Sequence, residues 1–152
     1  MSKAAAVCGI VRGAMDALGP LLERKPFAGA VPSREEPRVQ VMLAQAEGGL
    51  EGGRAYLYRN VDMAWQKVQD DKALELVDIA SIRLSIVTAA QRALETLHLM
   101  QEIAGTAAVL DPTFDRNARD FEVARHHMQL QTHVDEDVGR VLVGMQPRNP
   151  MF

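Results

Sequence analysis

The chain has 152 residues, enough for one domain with a real core. Its hydrophobic fraction of 47% and charged fraction of 24% are those of an ordinary globular protein, and a net charge of −3 offers no basic excess for a nucleic-acid partner. A single cysteine, Cys8, excludes an internal disulfide framework and fits a reducing cytoplasm.

The first predicted helix covers roughly residues 3 to 25. Ala6, Val7, Ile10, Val11, Ala14, Leu18, Leu21 and Leu22 follow a helical stripe. Arg12 and Asp16 break the apolar run, so the segment reads as an amphipathic helix rather than an export signal. No stretch reaches the roughly 18 uncharged apolar residues of a membrane span, and no membrane partner is expected. Gly19-Pro20 predicts a kink, because proline removes a backbone donor.

"KPFAGAVPSREEP" is the clearest loop, and Ser33 with Glu36 forms the S-x-x-E of a capping box just before Pro37. The second helix is expected from Pro37 to Gln69, with a stripe running Val39, Met42, Leu43, Ala46, Leu50, Gly53, Leu57, Val61, Ala64, Trp65 and Val68. Gly48, Gly49, Gly52 and Gly53 lie inside it, each costing about 0.8–1 kcal/mol against alanine, which close approach of a neighbouring helix would offset. "QDDK" makes the next turn.

A third helix, residues 72 to 104, confines its polar groups to one narrow stripe: Glu75, Asp78, Ser81, Ser85, Thr88, Arg92, Glu95, His98 and Glu102. The remainder is mostly Leu, Ile, Val and Ala, so this helix is expected at the centre of a bundle, ending at Gly105. Asp111 and Pro112 supply the N-cap and first position of a fourth helix. A short last helix, residues 135 to 143, stops at Gly144, before a proline-rich tail. With no βαβ rhythm and no glycine-rich phosphate loop, the expected fold is all-α: an up-and-down four-helix bundle with a short extra C-terminal helix.

The chemistry is thinner than the fold. Glu95 and His98 have the Glu-x-x-His spacing of di-iron bundles, but the chain holds no second copy, and Arg92 shares the stripe. His126, His127 and His133 suggest zinc by proximity alone, yet adjacent histidines in a helix diverge by about 100°. Cys8 lies in an apolar helix without a visible base and reads as a small core residue. In "RNARDFEVARHHMQLQTH", Arg116, Asp120, Val123 and His127 are spaced 4, 3 and 4 and share one face, opposite Phe114, Ala118, Phe121 and Met128. Spacing alone also allows a plain solvated face with an Arg116–Asp120 pair worth about 0.2–0.5 kcal/mol.

The succession "AAAVCGIVRGAMDAL", "RVQVMLAQAEGGLEGGRAYLY", "IRLSIVTAAQRALETLHLMQEIAGTAAV", "FDRNARD" and "VGRVLVGMQP" resembles the C-terminal helical domain of acyl-CoA dehydrogenase-like flavoenzymes, from about residue 4 to the end. The dehydrogenase branch carries Tyr-Glu-Gly-Thr downstream of Arg-Asp; here that region is His127, Met128, Gln129 and Leu130, so its glutamate base is absent. The flavin-dependent monooxygenase branch, which takes reduced flavin from a separate reductase, typically shows a histidine seven residues after the aspartate, where His127 falls. It also often shows one two residues after the aspartate, where this chain has Glu122.

The resemblance implies FMN or FAD as cofactor and His127 as the catalytic residue, beside the flavin and substrate, relaying a proton during oxygen transfer. It implies flavin contacts for Arg116, Arg119 and Asp120, the two guanidinium groups either suiting phosphate oxyanions or serving the structure alone. It further implies a dimer or tetramer with flavin shared across subunits, and a flavin reductase as partner. Complete members carry an N-terminal helical domain and a β-domain ahead of this bundle. Residues 1–152 are therefore expected as one bundle domain that contributes flavin and substrate contacts and oligomerisation without catalysing alone. The alternative is a non-catalytic assembly module that keeps the fold.

Overall fold

The structure, a computed structural model, describes residues 2–25, 28, 30–127, 130, 132, 134–149 and 152. Among these the regular structure is helical: α1 (Ser2–Leu22), α2 (Pro37–Gln69), α3 (Leu76–Ala104), a short α4 (Ala107–Leu110), α5 (Pro112–Arg125) and α6 (Val134–Leu142). α3 packs against α1, α2 and α6, and α1 in turn carries α5. The centre is thus shared by α1 and α3, with α2 and α5 as flanks.

Helix directions are set by which residues meet. Arg38 reaches Glu102 and Lys67 reaches Asp78, so α2 and α3 are antiparallel. Cys8 lies by Ala89 and Leu18 by Ile103, so α1 runs parallel to α3. Gly13 faces Asn117 while Ala6 faces Val123, so α5 is antiparallel to α1. This is the up-and-down bundle expected from the periodicity, with α6 added on α3.

The main core joins Val7, Val11, Leu18, Leu50, Leu57, Leu97, Met100, Phe114 and Phe121, all buried. Burial of apolar area at roughly 25 cal/mol per Å² drives this assembly. α1 is long and apolar enough, by length and composition, to cross a membrane, but here its stripe from Ala4 to Leu21 is buried in that core. A second, smaller cluster sits between α3 and α6: Ala80, Val87, Val134, Val138 and Val141.

The α2–α3 contact explains part of the glycine group. A Cβ on Gly53 would lie 3.1 Å from Arg92 Cβ and 3.2 Å from Ala89 Cα, so any other residue requires α3 to give by a few tenths of an ångström. Beside it, the buried Thr96 hydroxyl donates to the Ala46 carbonyl at 3.2 Å. Gly48 and Gly52 face open space and have no such role.

Several local expectations are corrected. α1 holds Pro20 within it and ends at Leu22 rather than 25. Ser33 does not cap α2: residues Ser33–Glu35 form a 3-10 turn, the Ser33 hydroxyl donates to the Arg24 carbonyl at 3.4 Å, and Glu36 is the N-cap without a side-chain bond. The capping box belongs to α3, where Glu75 and Asp78 satisfy each other's backbone N–H groups, so the helix starts at Leu76 rather than 72. Trp65 and Val68 continue the α2 stripe in sequence but are 58% and 59% exposed, because the face that meets α3 there runs through Leu57, Asn60, Ala64 and Lys67. In the polar stripe of α3, Ser85 is fully buried and donates to the Ile82 carbonyl at 2.8 Å.

Candidate functional site

α5 is started by chemistry visible in sequence. The Asp111 carboxylate accepts from the N–H groups of Thr113 (3.1 Å) and Phe114 (3.0 Å), and Pro112 occupies the first position, where no donor is needed. Phe114 and Phe121 are fully buried and hold α5 along α1. Asn117 lies against Gly13, its side chain 3.5 Å from where a Cβ would be, an ordinary contact distance. Because the two helices are antiparallel, the end of α5 arrives at the first turns of α1.

There they enclose a cleft of about 450 Å³ lined by Lys3, Ala6, Val123, Ala124, His126 and His127. His127 is half-buried and lies beyond α5, which stops at Arg125. Its N–H donates to the Ala124 carbonyl at 3.2 Å, and its carbonyl accepts from Leu130 N–H at 2.8 Å. Leu130 is buried in the main core and anchors this turn. The 4, 3, 4 ladder of Arg116, Asp120, Val123 and His127 therefore ends at Val123, and a turn, not a helix face, carries His127.

The same turn brings His126 to the cleft, a residue that helical geometry alone sets aside; its Nε2 lies 3.9 Å from Glu122 Oε2. Met128, Gln129 and His133 lie outside the described residues. Arg116 and Asp120 face solvent and form an i,i+4 pair at 3.6 Å, and Arg119 pairs with Asp115 at 2.8 Å. Such exposed pairs contribute about 0.3–0.5 kcal/mol and exchange readily for another anion.

A second cleft of about 360 Å³ lies at the other end of α1, with an apolar floor that includes Leu18, Leu22 and Ile103 and a polar rim of Arg24, Lys25, Ser33 and Thr106. Two cations and two hydroxyls can hold a phosphate or carboxylate. The sequence signal for it is only the adjacent Arg24-Lys25 at the end of a helix.

The remaining sequence candidates carry no site. Cys8 is buried, and burial pushes its thiol up to about 11, which removes thiolate character; Arg54 opposes this weakly and Glu51 adds to it. Glu95 pairs with Arg92 at 2.7 Å and His98 is exposed. Among the described residues no three His, Cys, Asp or Glu side chains gather as a metal site.

The chain matches the family described as acyl-CoA dehydrogenase, C-terminal domain, over residues 1–132. It is 29% identical over 142 residues to the indole-3-acetate monooxygenase of Pseudomonas putida, covering 91% of this chain and 36% of that protein. Its fold matches the crystal structure of the HsaA monooxygenase from M. tuberculosis with a TM-score of 0.86 at 20% identity, over 99% of this chain and 39% of that one. The chain thus spans little more than a third of either relative. With the family matched over most of its length and the bundle described above, the chain belongs to the acyl-CoA dehydrogenase C-terminal domain family.

Proposed function

We propose that this chain is the C-terminal bundle of a flavin-dependent monooxygenase of the two-component type, working in the cytoplasm. It would supply one wall of the flavin and substrate pocket together with oligomer contacts, the remaining walls coming from other domains. The single observation that carries this reading is the cleft between α1 and α5, whose apolar floor (Ala6, Val123, Ala124) meets Lys3 and two imidazoles. That lining suits the edge of a planar ring and an acidic group. The Pseudomonas putida relative acts on indole-3-acetate, so aromatic carboxylates are the first substrate class to test.

The residues fit a share of a flavin site and not the whole of it. When bound, reduced flavin supplies the electrons for dioxygen. His127 holds or delivers a proton at its imidazole, and His126 and Lys3 bind the acidic group. Arg119 gives up Asp115 for a flavin phosphate, and Arg116, oriented by Asp120, adds a second guanidinium contact. The Arg24/Lys25 cleft is a second place for such a phosphate.

The alternative, an assembly module without chemistry, is favoured by one observation: large apolar groups stand in solvent at Trp65, Val68, Val109, Leu110, Leu142 and Val143. Titration of FMN and FAD into the chain, alone and with the preceding domains of the indole-3-acetate monooxygenase supplied in trans, separates the two. Binding that weakens in H127A and R119A supports the flavin reading. Association into dimers or tetramers without flavin binding in either setting supports the module.

A further inference from the structure

The family match ends at residue 132, and α6 starts at Val134. From α6 to the C-terminus the chain is built differently from the bundle. Its apolar side chains do not join the main core; Val134, Val138 and Val141 form a separate cluster with Ala80 and Val87 of α3, edged by Leu76, Leu84 and Phe152. Behind this helix the chain reverses at Gly144, with φ of 80°, and runs back along α6. Met145 N–H donates to the Arg140 carbonyl at 2.8 Å, and Arg140 Nε donates to the Gln146 carbonyl at 2.9 Å.

The centre of this return is Asp137. It is only 7% exposed, although it lies on a nine-residue helix whose tail is largely in solvent. Its carboxylate accepts from two successive backbone N–H groups, Arg148 at 2.6 Å and Asn149 at 3.2 Å. Arg148 also pairs with Glu136 at 2.8 Å, and the Phe152 ring returns to α3, with the Arg83 guanidinium 5.8 Å from its centroid. A buried carboxylate without donors is costly, whereas one holding two amides is strongly bound. The tail is therefore either closed on Asp137, or the carboxylate must reach water by moving α6. Leu130, just ahead of α6 in the chain, belongs instead to the main core.

We propose that α6, residues 145–149 and Phe152 form one latched flap on α3, with Asp137 as the latch, opening as a unit and baring Ala80, Leu84 and Val87 while α1, α2, the rest of α3 and α5 stay folded. This goes beyond the flavin reading and does not depend on it. Local opening units of this kind are the elements with few core contacts.

Native-state hydrogen exchange on the full chain, read by peptide mass spectrometry, tests it in wild type, Asp137→Asn, a chain truncated after Gly144, and the truncated chain carrying Asp137→Asn. The amides of Val134–Leu142 are expected to exchange together and faster than those of α1 and α3. Each single change should accelerate them roughly ten- to a hundredfold, the range for hydrogen bonds to a charged group. In the truncated chain, Asp137→Asn should add less than about twofold, since the donors are already gone. The proposal is overturned if α1 and α3 accelerate as much as α6, if α6 does not accelerate, or if Asp137→Asn costs as much without the tail as with it.

Discussion

Replacing Gly53 with alanine should leave the bundle no more stable or destabilise it, while the same change one residue earlier, at Gly52, should stabilise it. Both positions lie within α2, so alanine gains about 0.8–1 kcal/mol at each from helix propensity and a less flexible unfolded chain. At Gly52 nothing lies within 4 Å of the added methyl, and the gain stands. At Gly53 the methyl would sit 3.1 Å from Arg92 Cβ and 3.2 Å from Ala89 Cα. Carbon pairs are comfortable at about 3.5–4.0 Å, so one helix must move by a few tenths of an ångström. Arg92 can yield only in part, because its Cβ is fixed to the backbone. Ala89 is backbone of a central helix, also tied through its carbonyl to Cys8, and α3 is packed on three sides. Overpacking of this sort costs about 1–3 kcal/mol, which leaves Gly53→Ala between neutral and about 2 kcal/mol destabilising. The two variants should then differ by about 1–3 kcal/mol, or several degrees in melting temperature for a chain of this size. Urea midpoints at constant m-value give the comparison directly. Equal stabilisation by both alanines would show that the α2–α3 approach does not depend on the missing side chain.

The ion pairs and the core set three other outcomes. Arg12 spans α1 to α2, binding both Glu47 oxygens (2.8 and 3.0 Å) and Glu51 (2.8 Å); R12A should lose about 0.5–1 kcal/mol in urea titrations at low salt and much less at 1 M salt. The Arg12 hydrogen bond holds the Glu47 carboxyl below its usual range, so its stabilisation is present above the unfolded-state value near pH 4.5; the R12A deficit should persist at pH 7 and fade as pH drops below that. Asp78, held low first by Lys67 and then by the Glu75 N–H, follows the same sign: D78N should destabilise at neutral pH and converge with wild type below about pH 4. Phe121→Ala removes a fully buried ring between α1 and α5 and should cost about 3–5 kcal/mol by thermal melting, against less than about 0.5 for Val123→Ala, whose side chain is 79% exposed on the same helix.

What the sequence made legible was local. The α2 boundaries, the Asp111–Pro112 start of α5 and the glycine stops at Gly105 and Gly144 are written in residue types that act on their own backbone. The centrality of α3 came from its width of apolar cover. Features set by distant partners were not legible. Ser33 and Glu36 have the right identities for a capping box, but the loop places Ser33 on the Arg24 carbonyl instead. Trp65 continues an unbroken stripe in sequence, but the face that meets α3 there is that of Ala64 and Lys67. Helical geometry separates His126 from His127, whereas α5 ends at Arg125 and both line the cleft against α1.

The two clefts constrain each other. One is built on Lys3 and Ala6, the other on Leu18 to Lys25, so α1 separates them. From Ala6 to Leu22 is sixteen residues, or about 24 Å at the helical rise. In both FMN and FAD the phosphate on the ribityl chain lies well short of that distance from the ring. A flavin anchored by phosphate at Arg24 and Lys25 therefore cannot place its ring against His127 of the same copy. If one flavin uses both clefts, two copies must supply them, and affinity should rise with oligomerisation and fall in R24A and H127A alike. If a monomer binds flavin fully, only one of these changes should matter, and it names the cleft that holds the ring or the phosphate. The length of α1 thus turns a pair of surface observations into a single measurement of stoichiometry.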